Sequence, residues 1–153
     1  MRQSCIYGPR QFGIEDQGWV AWFTIAAVLG RPISVYGDGK QIRDVLHVDD
    51  LFAAWDLAEK NIDTTSGDIF NIGGGPGMTM SLLELLEILG EVTGAPIPVT
   101  YGDWRPGDQR VYVSDIAKAS NTFGWQPKIA PRDGVKSLHA WVVENREMLE
   151  SVL

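Results

Sequence analysis

Along the chain the spacing of apolar and polar positions switches repeatedly between the two-residue period of a strand and the longer period of a helix. Residues 2–7 predict a short strand ended by Gly8-Pro9. Residues 16–29 are apolar nearly all round, so they predict a largely buried helix, closed by Gly30. Pro32-Ile33-Ser34-Val35-Tyr36 predicts a strand with Gly37-Asp38-Gly39-Lys40 as its turn, and residues 42–48 a second extended piece. Asp49 or Asp50 offers an N-cap for a helix through Lys60. Residues 68–72 predict a strand running into Gly73-Gly74-Gly75-Pro76-Gly77. Ser81-Leu82-Leu83-Glu84 is a capping box for a helix to about Val92, ended by Gly94. Ile97 to Tyr101 and Val111 to Val113 are strand-like, with a loop from Asp103 to Gln109 between them. Ser114 or Asp115 caps a helix closing at Gly124, and a last helix runs from about Pro131 to Val152. Strands alternating with helices in this order predict an α/β domain.

Composition narrows the function. At 153 residues the chain holds one domain, residues 1–153, with a real core. Hydrophobic residues at 44% and charged residues at 22% describe an ordinary globular protein. A net charge of -7 argues against a nucleic-acid partner, because backbone phosphates call for a basic face. A few local arginines can still hold a small anion. Cys5 has no partner for an internal disulfide, which fits a reducing, cytoplasmic compartment. Cys5, His47 and His139 make no zinc set, so no metal is expected. The apolar run Val20–Leu29 is too short to span a membrane, and it follows Glu15 and Asp16 rather than a basic leader. Six tryptophans suit core or interface anchors, and a homodimer is a reasonable expectation.

Two glycine-bearing basic loops carry the candidate chemistry: Gly37-Asp38-Gly39-Lys40-Gln41-Ile42-Arg43-Asp44 and Arg105-Pro106-Gly107-Asp108-Gln109-Arg110. Two phosphates call for guanidinium forks, and glycine lets a backbone approach a ligand closely. Arg43, Arg105 and Arg110 lie in or beside these loops, and Arg10 follows Gly8-Pro9. Any one of these arginines alone reads as a solvated surface charge. Asp49 and Asp50 read as helix caps, and His47, alone at a strand end, as structural. Gly73–Gly77 after a strand has the look of a phosphate loop, yet no lysine or Ser/Thr follows at P-loop spacing. No Gly-x-Gly-x-x-Gly turn precedes the basic loops, so a dinucleotide site of the usual kind is missing.

Six motifs occur in register: Tyr7-Gly8-Pro9-Arg10-Gln11; Gly37-Asp38-Gly39-x-x-x-Arg43-Asp44-x-x-x-Val48-x-Asp50; Phe70-Asn71-Ile72-Gly73-Gly74; Arg105-Pro106-Gly107-Asp108-x-Arg110; Asp115-x-x-Lys118-Ala119; and Gly124-Trp125-x-Pro127. The series resembles the C-terminal half of the extended short-chain dehydrogenase/reductase family, the NAD-dependent nucleotide-sugar epimerases and dehydratases. Arg10-Gln11-Phe12, Asp16-Gln17-Gly18-Trp19-Val20-x-Trp22-Phe23 and Lys40-Gln41-x-Arg43-Asp44-Val45-Leu46-His47 resemble its cytidine-diphosphate branch, the CDP-paratose (CDP-tyvelose) 2-epimerases. Many relatives have Asn two positions before the Tyr-Gly-Pro tyrosine, where this chain has Cys5.

The resemblance implies a substrate-binding portion of an epimerase, whose strands would complete a Rossmann sheet supplied by an absent N-terminal half. It implies NAD held mainly by that half, a hydride taken from a sugar carbon, and its return to the other face. The partner implied is a nucleotide-diphosphate sugar, with a CDP-sugar favoured. By motif position Arg43 and Arg110 would hold the diphosphate, and Arg10 or Gln11 would line the sugar pocket. Tyr36 or Val35 would flank the base, and Asp108 would orient an arginine or meet the ribose. The family's base is the tyrosine of a Tyr-x-x-x-Lys helix motif. Only Tyr36 and Lys40 match its spacing, and Gly37 and Gly39 make a turn there, so no catalytic residue is expected. The rival readings are a free-standing nucleotide-sugar-binding module and a truncated interaction partner. Only an epimerase portion predicts an exposed apolar face where the other half docks.

Overall fold

The computed structural model describes residues 1–153. In chain order its elements are β1 (Arg2–Gln3), β2 (Cys5–Tyr7), α1 (Trp19–Leu29), β3 (Ile33–Tyr36), β4 (Ile42–His47), α2 (Val48–Lys60), α3 (Ile62–Thr65) and β5 (Asn71–Ile72). There follow β6 (Thr79–Ser81), α4 (Leu82–Thr93), β7 (Val99–Gly102), β8 (Val111–Tyr112), α5 (Ala117–Phe123), α6 (Pro131–Glu144) and α7 (Arg146–Val152). The α/β class expected from the alternation is the class observed.

The strand β4 organises the molecule. β2 pairs with it in parallel, with Tyr7 opposite His47. β8 adds in parallel and β6 antiparallel, with Arg43 opposite both Tyr112 and Met80. Two further parallel pairs, β1 with β5 and β3 with β7, flank this sheet. Successive side chains of a strand face opposite ways, and β4 is covered on both faces. Val45 joins a core built with Tyr7, Ile25, Ile33, Met80, Leu85, Leu138 and Leu149. Leu46 joins a second core with Ala54, Phe70, Ile72, Phe123 and Trp125. A strand buried on both faces reads as the continuous apolar run seen at Val45-Leu46.

Several boundaries differ from the expectation, each for a local reason. The strand over 2–7 is two strands, because its halves pair with different partners, β5 and β4, on either side of Ser4. The helix expected from residue 16 starts at Trp19. Ile14 and Gln17 exchange backbone hydrogen bonds of 3.0 Å each, making a tight turn, and Gly18 caps the helix in the left-handed region at φ 75°. Neither Asp49 nor Asp50 caps α2; His47 does, its Nδ1 accepting from the Asp49 N–H at 3.3 Å. Asp50 instead is buried and accepts the N–H groups of Lys128 and Ile129 at 3.0 and 2.9 Å. Ser114 does not cap α5; the N-cap position is Ile116, and Asp115 just before it accepts the Ala117 N–H on Oδ1 at 2.9 Å. The long C-terminal helix breaks at Asn145, whose side-chain amide donates to the Trp141 carbonyl at 2.8 Å. The short elements α3 and β6 were not expected, since their sequences lie in polar and glycine-rich surroundings. The Ser81–Glu84 capping box is present as expected, with both of its reciprocal bonds.

Candidate functional site

Three loop regions meet at one end of β3 and β4. Gly37 follows β3 with φ 82°, and a Cβ there would lie 2.6 Å from the ring of Trp104. A glycine at this position therefore lets Trp104 lie on the turn and ties the loop of residues 103–110 to the end of β3. The helix α1 brings its first turn to the same place. The result is a cavity of about 210 Å³ lined on one side by Trp19, Trp22 and Phe23 and on the other by Ser34, Tyr36, Gln41, Arg43, Arg105 and Asp108. The 14–17 turn contributes Glu15 and Asp16 to its rim.

Arg43 and Asp108 form an ion pair of 2.9 Å, Nη2 to Oδ1, both partly shielded from water. Gln41 is buried, and its side-chain NH2 donates to the Tyr36 carbonyl and to Asp108 Oδ2. Both of those partners can only accept, so the amide orientation is fixed and Asp108 is held from two sides. Asp108 thus orients Arg43, one of the two roles the resemblance left open. Arg105 lies 4.0 Å over the Tyr36 ring and pairs with Asp16 at 3.2 Å and Glu15 at 3.9 Å. Its guanidinium is pushed up from the usual arginine value, first by the Tyr36 hydroxyl and then by the charges of Asp16 and Glu15. The Tyr36 hydroxyl donates to Glu15 Oε1 at 2.8 Å.

Of the residues singled out in the sequence, Tyr36, Arg43 and Asp108 come together in this cavity. Arg110 does not line it; its guanidinium lies 4.9 Å from the centre of the Trp104 ring. Arg10 and Gln11 line a different groove, beside Tyr7, Val48 and Phe52. Arg10 is the one residue other than glycine in the left-handed region, at φ 69°, and the Gln11 side chain donates to the Ile6 carbonyl at 3.2 Å. Sequence reasoning named Arg105 among the loop arginines without assigning it a role, and assigned none to Glu15, Asp16 or Gln41. The signal for Arg105 was at hand, since it opens the motif that supplied Asp108. Glu15 and Asp16 sit in a turn that only the tertiary structure brings to the loop.

Two other candidates have structural duties. Cys5 accepts the indole N–H of Trp19 at 2.9 Å, N to Sγ, and burial pushes its thiol above the ordinary value. Cys5 therefore supports a wall of the cavity. Tyr7 is buried and donates to the Pro131 carbonyl at 3.3 Å; burial first, then the charges of Asp50 and Asp133, push its phenol up, which makes it a poor base.

The Gly73–Gly77 turn is not an open cradle for a dinucleotide. At the Gly73–Gly77 turn the Gly75 N–H donates to Asp44 Oδ2 at 3.1 Å, and the space beside Gly73 is filled by the Ser114 hydroxyl and Ser4. The turn is packed by the chain's own side chains. No helix is long and apolar enough to cross a membrane.

Residues 1–73 match the NAD dependent epimerase/dehydratase family. The CDP-paratose 2-epimerase of Salmonella typhi is 41% identical over 145 residues, which are 92% of this chain and 43% of that protein. The structure of Thermotoga maritima UDP-glucose 4-epimerase with UDP-glucose superposes with a TM-score of 0.79 at 32% identity, over 96% of this chain and 45% of that one. Bacillus cereus UDP-glucuronic acid 4-epimerase, in complex with UDP-glucuronic acid and NAD, gives 0.82 at 26% identity, over 94% and 44%. This chain thus spans less than half the length of each, and its fold is that of the C-terminal part of extended short-chain dehydrogenase/reductase epimerases.

Proposed function

We propose that this chain, whose residues 1–73 match the NAD dependent epimerase/dehydratase family, is the nucleotide-sugar-binding portion of an NAD-dependent sugar epimerase, and that its ligand is a CDP-sugar. The observation that carries the reading is the cavity that gathers Tyr36 of β3, Arg43 of β4, and Arg105 and Asp108 of the loop between β7 and β8 onto one site. Arg43 is the first phosphate fork, held in place by Asp108. Arg105 is better placed than Arg110 for the second, because it already lines the cavity, while Arg110 rests on Trp104 at its edge. Tyr36 and the indoles of Trp19 and Trp22 offer flat apolar surface to a base or a sugar. Arg10 and Gln11, in the neighbouring groove, are candidates for the far end of a sugar only.

The chain's residues bind and orient; none of them is assigned hydride or proton transfer, and NAD belongs with the portion of the enzyme outside this chain. The exposed Phe52 and Trp55, one turn apart on α2, support a docked portion there. The preference for cytidine rests on the CDP-paratose 2-epimerase likeness. A cytoplasmic location and a homodimer complete the reading.

Titration calorimetry with CDP and UDP tests it. CDP is expected to bind more tightly than UDP, and Arg43→Ala to weaken CDP by about ten- to a hundredfold, the scale of a lost charge-assisted contact. Arg105→Ala is expected to cost more than Arg110→Ala. Absence of CDP and UDP binding, or an Arg43→Ala variant with unchanged affinity, overturns the assignment.

A further inference from the structure

The cavity's charges are already matched among themselves. Its lining holds two cations, Arg43 and Arg105, and three carboxylates, Glu15, Asp16 and Asp108. Arg43 is taken by Asp108 and Arg105 by Asp16 and Glu15. An entering diphosphate therefore meets an excess of negative charge, and it gains Arg105 only if the two carboxylates of the 14–17 turn give way.

The two acidic groups differ in how they are fixed. Asp108 is partly buried and anchored by the Gln41 amide as well as by Arg43, so it is a positioning group that stays. Asp16 is 84% exposed and Glu15 48% exposed, on a turn of four residues held by the reciprocal backbone bonds of Ile14 and Gln17. Exposed ion pairs are individually weak, so a group with two phosphates and bidentate geometry can outcompete them.

We propose that Glu15 and Asp16 set the affinity of the site: in the free chain they occupy the phosphate seat on Arg105, and a diphosphate ligand displaces them. Glu15 also holds the Tyr36 hydroxyl, so displacement frees Arg105 and the Tyr36 edge together. The turn leads through Gly18 directly into Trp19 on the cavity wall, which couples its position to the apolar side of the site. This inference rests on the nucleotide-sugar reading of the same cavity.

The test compares the natural chain with the double variant Glu15→Gln/Asp16→Asn. By calorimetry the variant is expected to bind CDP about three- to tenfold more tightly, the sum of two exposed pairs. By hydrogen exchange the Ile14 and Gln17 amides are expected to lose protection in the ligand-free variant, and in the natural chain when pyrophosphate is added. Equal or weaker CDP binding by the variant, with the natural chain binding normally, overturns this inference and leaves the function intact. If neither protein binds CDP or UDP, the function falls instead. Unchanged Ile14 and Gln17 protection, both in the ligand-free variant and with pyrophosphate, then overturns the displacement as well.

Discussion

Gly134 lies in the interior of α6, where replacing glycine by alanine ordinarily stabilises a helix by about 1 kcal/mol. Here the sign should reverse. A Cβ at Gly134 would overlap the Tyr7 hydroxyl oxygen and lie 2.8 Å from Tyr7 Cζ and 3.0 Å from Cε2. Tyr7 is 1% exposed, its ring edge meets His47 at a centroid distance of 5.6 Å, and its strand is paired to β4, so the phenol has little room to retreat. Overpacking a filled site costs about 1–3 kcal/mol, and overlap with both the hydroxyl oxygen and Cζ of a buried phenol places this case at the upper end. Subtracting the helix gain leaves Gly134→Ala less stable by about 1–2 kcal/mol, or about 2–4 °C in Tm for each kcal/mol. Tyr7→Phe removes the most severe overlap, so Tyr7→Phe/Gly134→Ala should recover about half of that loss beyond what the single effects predict. Urea unfolding of the four proteins, followed by tryptophan fluorescence, measures the cycle. A Gly134→Ala protein more stable than the natural one, or strictly additive effects, would refute the packing argument.

Other expectations concern ionisable groups at the same junction. Because the Tyr7 phenol is raised by burial, the unfolded chain releases this proton near pH 10 while the folded chain retains it, so stability is full below that pH and falls above it. Tyr7→Phe should flatten the fall in unfolding free energy, measured by urea, between pH 9 and 11, by up to about 1.4 kcal/mol per pH unit; a parallel slope would count against it. The Cys5 thiol, raised by burial behind Trp19, should react with iodoacetamide at pH 8 at least about tenfold more slowly than in urea, and equal rates would show that Trp19 does not cover it.

What the sequence disclosed follows the range of the forces involved. The capping box at Ser81–Glu84 and the glycine ends of α1 and α4 are local hydrogen-bond and φ preferences, and they were readable. The halving of the first strand was not, because Ser4 stands where the partner changes from β5 to β4, and those partners lie some seventy and forty residues away. Asp50 shows the same limit from the other side. Its sequence neighbourhood describes a helix cap, while its carboxylate is needed by two N–H groups near residue 128, where the chain turns between Trp125 and α6.

The site repeats this division. Tyr36 ends β3 and Arg43 begins β4 on either side of a glycine turn, Asp108 follows Pro106-Gly107 in a loop, and this distinctive spacing marked all three residues that line the cavity. Which arginine of residues 105–110 turns inward is decided by Trp104: packed against Gly37, it offers its ring to Arg110 and so holds that guanidinium outside the cavity. The acids at Glu15 and Asp16 then meet Arg105 instead. A single contact between a glycine and an indole therefore selects the cation that the cavity presents, and with it the residues a ligand must displace.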